Sequence, residues 1–301
     1  MAITINLVQD WETIQLEEFR NFITNWGFES ETLERYLNAP TGTDDWKKAR
    51  DDAVITWFNY SLRRIPAQPR KLVSNASLVC PPDLSQGWAM LQQEIAKGAD
   101  LTPRLSRKIE NADYNDGMLY DWGLHHFHLG TKPDANHPRL IEGTCIVLVA
   151  HVTSSEFYPI DFATHGQWGD ISILKKAIST FPSIFECFHL KGVTDIAGPC
   201  PCLSEDIVRM RKQGWNSFVK VNGKVYTPFG MGMTMAGTSV KATMALATCR
   251  HQLQHYEKTL HDELDTRYPS GEVRLVRTPA ASQQVLERLT DGCAVVLVNP
   301  S

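Results

Sequence analysis

The sequence has no apolar run approaching the roughly 20 residues that a membrane-spanning helix needs, so no membrane partner is expected. Its first residues, MAITINLVQDWETIQ, lack the basic and apolar regions of a secretion signal. The cysteines, at positions 80, 145, 187, 200, 202, 249 and 293, are odd in number and form no spaced framework. Reduced thiols and a cytoplasmic location are the expectation. Internal repeats and low-complexity tracts are missing. So are the nucleophile motif G-x-S-x-G, the dinucleotide fingerprint G-x-G-x-x-G and the P-loop G-x-x-x-x-G-K-[ST]. These absences exclude the common signatures of several enzyme classes but leave hydrolytic and acid–base chemistry open.

Acidic residues are absent from one long stretch. Residues 207–256 contain no Asp or Glu but carry Arg209, Arg211, Lys212, Lys220, Lys224, Lys241 and Arg250. With 30 basic and 34 acidic residues the chain sums to −4, so a +7 segment leaves −11 for the remainder. Trp215, Phe218, Tyr226 and Phe229 are interleaved with these cations. Such a pattern suits phosphate contacts and base stacking, and RNA is the partner it suggests. It equally suits a solvated face paired with the acidic remainder.

The rest of the composition is that of an ordinary globular chain, 43% hydrophobic and long enough for a sizeable core. Trp11, Leu16, Phe19, Phe22, Ile23 and Trp26 fall at three- and four-residue steps, which predicts a helix, and Ala53, Trp57, Tyr60 and Leu62 continue the pattern. Thr43 or Asp44 is the expected cap of this second helix. Four prolines make 66–82 a loop, and helices are expected over 84–97 and 102–110. After Asp113 the segments 124–129, 144–153 and 157–164 read as strands, with 184–190 as another. Asp170 and Ser204 open helices, and Asn222-Gly223 joins a short hairpin. A glycine-rich loop over 230–237 precedes a long helix to about residue 267. Strand 272–277, helix 281–290 and strand 293–298 close the chain. The expected fold is α+β: a helical N-terminal region, 1–112, followed over 113–301 by a mainly antiparallel sheet with flanking helices.

The densest chemical signal is Asp121-Trp-Gly-Leu-His-His-Phe-His-Leu-Gly130. In a strand, alternation sets His126 and His128 on one face, with Phe127 and Leu129 on the core side. In the strand ending at His165, Tyr158, Ile160 and Phe162 form one set, and Asp161 and His165 belong to the other. If these strands neighbour each other, His126, His128, Asp161 and His165 converge, a conclusion that a one-residue slip in register would overturn. A His pair with a carboxylate suits metal-independent acid–base cleavage of RNA, because imidazole titrates near neutral pH and the carboxylate fixes its tautomer. The same residues suit a divalent metal such as zinc in a metal-dependent hydrolase. A third reading is a non-catalytic binding or assembly protein, with a protein partner or homo-oligomer formed through the N-terminal aromatics and the long helix.

The run D-W-G-L-H-H-F-H-L-G resembles a motif of bacterial proteins in which Trp-Gly-hydrophobic-His-His-x-His-Leu precedes a hydrophobic strand and a strand ending in His. Residues 113–182 carry that resemblance. The order of helices and then an antiparallel sheet with scattered histidines is similar in outline to RelE/barnase-like toxin ribonucleases. That resemblance implies a toxin or antiviral effector acting on RNA, and it assigns no individual residue.

Within the basic segment, Gly237-Thr238-Ser239-Val-Lys241 opens the long helix. Helix N-termini favour anions, so Thr238, Ser239 and Lys241 are the candidate phosphate-binding residues; Thr238 or Ser239 could instead simply cap the helix. His251 and His255, at i and i+4, read as a polar helix face. Cys200-Pro-Cys202 lacks the second cysteine pair of a zinc site. Met231, Met233 and Met235 read as core packing before a soft binding surface.

Overall fold

A computed structural model describes residues 3–195, 204–216, 218–264, 271–277 and 293–298. The fold is α+β. The chain begins with β1 (Ile3–Ile5), α1 (Leu7–Trp26), α2 (Glu31–Asn38) and α3 (Asp44–Arg63). It continues with β2 (Lys71–Leu72), α4 (Ser85–Lys97), α5 (Gly117–Trp122), β3 (His125–Phe127), β4 (Ile146–Val152) and β5 (Glu156–Thr164). Then come α6 (Ile171–Thr180), α7 (Pro182–Phe185), α8 (Ser204–Lys212), β6 (Val219–Val221) and β7 (Lys224–Tyr226). The last elements are α9 (Val240–Leu264), β8 (Gly271–Arg277) and β9 (Cys293–Val298). The expected helix over 281–290 and the Cys200–Cys202 pair lie outside the described residues. Among the described residues no helix is long and apolar enough to cross a membrane.

Two compact units divide the chain: residues 1–61 with 242–301, and residues 62–241. In the first, the helical spacing of α1 buries Leu7, Trp11, Leu16 and Phe19. Phe19 stacks on Trp57 at 5.1 Å, and Trp11 meets Phe58 edge-on at 5.7 Å. Beside these rings the buried carboxylate of Glu12 receives Arg50 at 2.8 Å and Arg250 at 2.7 Å. Thr43 caps α3, accepting from the Trp46 N–H at 3.1 Å. In the sheet of this unit β8 pairs parallel with β1 and antiparallel with β9.

The second unit holds a four-stranded mixed sheet in the order β2-β5-β4-β3. Its central strand, β4, reads IVLVAHV, the near-continuous apolar run of a strand covered on both faces. One face carries Phe127, Leu148 and Phe162 in register. Helix α4 lies near this face: Trp88 meets Phe162 edge-on at 6.2 Å, and a Cβ on Gly87 would stand 1.8 Å from the Leu129 carbonyl oxygen. The opposite face carries Val149 and Tyr158 under α6 and α7, with Ile173, Leu174, Ala177 and Phe185 in the same core cluster. His126 shares that second face, being paired with Val149.

Several local expectations need correction. The register slips between Val149 and Ala150, so Val149 faces Asp161 but Ala150 faces Pro159, and Ile160 has no partner. This bulge splits the expected set: Tyr158, paired with His151, lies on the Val149 face, whereas Phe162 lies on the other. Residues 102–110 form two 3₁₀ turns, Thr102–Arg104 and Arg107–Glu110, instead of one helix. Segment 184–190 is helical at its start because Pro182 occupies the first turn of α7, a position where its missing N–H costs nothing. The expected loop 66–82 contains β2, which pairs parallel with β5. The Asn222-Gly223 hairpin forms as read, both residues adopting positive φ (50° and 76°) as a type I′ turn requires.

Candidate active site

The site grows from the junction of α5, β3 and β4. Asp116 caps α5, its carboxylate accepting from the Leu119 N–H at 3.0 Å. Gly123 ends the helix at φ 66° and turns the chain directly into β3. Alternation along β3 then sends His126 and His128 to the same side. The His128 backbone is held by Arg104, whose carbonyl accepts from the His128 N–H at 2.7 Å. The Arg104 guanidinium returns bonds to the carbonyls of His128 and Gly130, both at 3.2 Å, and is neutralised by Glu94. His165 arrives at the end of β5, where its N–H donates to the Cys145 carbonyl at 2.7 Å.

The three imidazoles converge. One ring nitrogen from each of His126, His128 and His165 lies within 4.8 Å of the other two. His128 and His165 stack with centroids 5.3 Å apart, and Trp168 lies flat against His126 at 4.3 Å. Nε2 of His126 is buried and has no hydrogen-bond partner among the described residues. Nδ1 of His128 accepts the Thr144 N–H at 2.9 Å, so in the neutral ring the proton sits on Nε2. Burial, joined by repulsion from His126 and His165, holds His128 down at about 4. Burial likewise lowers His126, partly offset by the Asp116 carboxylate. Both rings are therefore neutral at physiological pH.

His126 and His165 line a cavity of about 750 Å³ together with His125, Asp116, Trp168 and Arg211. Burial pushes His125 down to about 3, again against the pull of Asp116. Arg211 reaches the wall from α8. Its Nε donates to Asp121 at 3.0 Å, another nitrogen donates to the Trp168 carbonyl, and the guanidinium lies over the Trp122 ring at 4.2 Å.

Of the residues proposed from sequence, His126, His128 and His165 come together, and Asp161 does not join them. It lies on the same face, but Val149 stands between it and His126, so it is two strands away, about 10 Å. Its carboxylate is engaged by Lys176. Among the described residues the carboxylate on the cavity wall is Asp116, which no motif in the sequence singles out. Its signal was local: an Asp immediately before a short apolar helix.

Thr238, Ser239 and Lys241 do not line the cavity either. The Thr238 hydroxyl lies 2.7 Å from that of Thr234, Ser239 is buried, and Lys241 is exposed at the start of α9. The preceding loop does reach the cavity, through Met233, Met235, Ala236 and Gly237. Met233 is buried as core packing requires, but Met231 and Met235 are exposed. Five of the seven cations in 207–256 have carboxylate partners: Arg209 with Asp206, Arg211 with Asp121, Lys220 with Asp195, Lys224 with Glu186, and Arg250 with Glu12 and Asp51. His251 and His255 are exposed on α9.

No protein-family model, curated protein or solved structure matches this chain.

Proposed function

We propose that the chain is a metal-dependent hydrolase whose centre is a zinc-type divalent ion held by His126, His128 and His165 at the cavity wall. The carrying observation is three imidazole nitrogens within 4.8 Å of one another, at the edge of a cavity that a substrate could enter. Neutral imidazoles are the form that ligates, and the partnerless Nε2 of His126 suits a ligand role. A three-histidine set leaves a position open towards substrate. The ion would supply Lewis-acid polarisation and a water of lowered pKa. Asp116 offers a carboxylate to take up a proton, and Trp168 covers one face of His126 against water. For His128, a ligand role would compete with the Thr144 hydrogen bond, which holds its Nδ1 as an acceptor. Four cysteines, 80, 145, 187 and 249, are free thiols, which suits the reducing cytoplasm we assign to it.

The test is hydrolysis of p-nitrophenyl esters by zinc-loaded protein. Turnover should vanish on chelation and return with zinc. His126→Ala and His165→Ala should each cost more than the roughly 10–100-fold that loss of an outer-shell partner costs. Turnover indifferent to chelator would refute this reading.

The Thr144–His128 bond favours a second reading, metal-free cleavage of RNA by a toxin or antiviral effector, because it makes His128 an Nε2–H donor. The engagement of Asp161 by Lys176 and the pairing of most of the basic segment weigh against it. RNA cleavage that persists in EDTA and disappears in His128→Ala would favour it over the metal centre.

A further inference from the structure

We propose that the substrate of this cavity is a small phosphate ester, its phosphate gripped by Lys108 and Lys212; the inference rests on the hydrolase reading above. Among the described residues the cavity wall carries four cations, Arg63, Lys108, Arg211 and Lys212, against one carboxylate, Asp116. Two of the four are committed to the fold. Arg63 donates to the carbonyls of Lys108, Asn111, Ala112 and Tyr114, and Arg211 is paired with Asp121. Lys108 and Lys212 are exposed and have no carboxylate within ion-pair distance among the described residues. They come from separate elements, the 3₁₀ turn Arg107–Glu110 and the last turn of α8, and both border the cavity that His126 and His165 line.

Two ammonium groups without a carboxylate partner among the described residues border the cavity that the imidazoles line, Lys108 also lying over the Tyr114 ring at 5.7 Å. Together they match the dianion of a phosphate monoester, whereas a carboxylate would neutralise only one of them. The volume, about 750 Å³, is that of a small-molecule site. A polynucleotide would need a continuing track of cations, and the other cations of the basic segment are paired, apart from Lys241 at the start of α9. Among the described residues Lys212 is thus the one cation of that segment both without an ion-pair partner and on the cavity, which selects a compact anion over a strand.

Two measurements test this with inorganic phosphate and p-nitrophenyl phosphate as probes. Calorimetric titration of the metal-free full chain with inorganic phosphate should show saturable binding. In Lys108→Ala/Lys212→Ala the binding should weaken about tenfold or more, and the double arginine variant should recover it. In the zinc-loaded protein the alanine pair should raise KM for p-nitrophenyl phosphate by a similar factor. Zinc content should stay unchanged, because neither lysine is a ligand of the proposed ion. Phosphate binding that is absent, or equal in wild type and the alanine pair, would overturn the inference. Because the titration uses metal-free protein, failure to hold zinc sinks the hydrolase reading without deciding this one.

Discussion

Replacing Asp121 by alanine is expected to lower the unfolding free energy by about 3–5 kcal/mol, the cost of leaving a buried charge without its partner. Asp121 is completely buried and Arg211 nearly so, its side chain 6% exposed. The guanidinium bridges three parts of the site: it bonds Asp121, covers Trp122 and donates to the Trp168 carbonyl. Trp168 in turn lies against His126. Losing the carboxylate therefore disturbs the wall that supports the imidazole cluster as well as the fold. A pair of apolar replacements of similar volume, Asp121→Leu with Arg211→Met, should recover most of the stability, because removing both charges removes the desolvation problem. Urea denaturation of the three proteins checks this. A loss below about 1 kcal/mol in Asp121→Ala would mean that the pair is a surface interaction in effect.

Acidification should destabilise the metal-free protein in a window set by its buried histidines. His128 titrates at about 4 in the folded chain against an ordinary value of 6.5, and His125 at about 3. His126 and His151 are lowered as well, chiefly by burial. The unfolded chain takes up these protons first. Each group's contribution is complete above about pH 6.5 and is lost progressively as pH falls through the folded value. At about 1.4 kcal/mol per pH unit, His128 alone contributes about 3 kcal/mol over this window. Denaturation at about pH 7, 5.5 and 4.5 should show a steadily falling unfolding free energy. Zinc should oppose the loss at the upper end of the window, since it requires the same neutral rings. A flat profile between pH 7 and 4.5 would contradict the burial assigned to these side chains.

Much of the site was legible because strand alternation is a strong rule. Once β3 was recognised, His126 and His128 had to share a face, and β5 in the neighbouring hairpin delivered His165 to it. The carboxylate was not legible for two reasons. Val149 occupies the strand between His126 and Asp161, a separation that the sequence leaves undetermined. Asp116 belongs to α5, only six residues long, whose apolar pattern is too brief to show periodicity. Charge counting misled for a related reason. Asp121 and Glu12 lie 90 and 238 positions from the arginines they neutralise, so a local tally of cations cannot see them. The long elements fared best: α1, α3 and β4 carry enough turns or residues for their pattern to dominate. The 3₁₀ turns at 102–110 and the helical start of 182–185 are set by Pro103, Pro182 and tertiary packing.

The central claim is that His126, His128 and His165 act together as ligands. Equilibrium dialysis of the full chain against zinc, followed by elemental analysis, tests it most directly. The account predicts one zinc per chain in the wild type, lost in His126→Ala, His128→Ala and His165→Ala but retained in Asp161→Ala. Zinc that fails to bind stoichiometrically, or that binds equally well without these histidines, would contradict it.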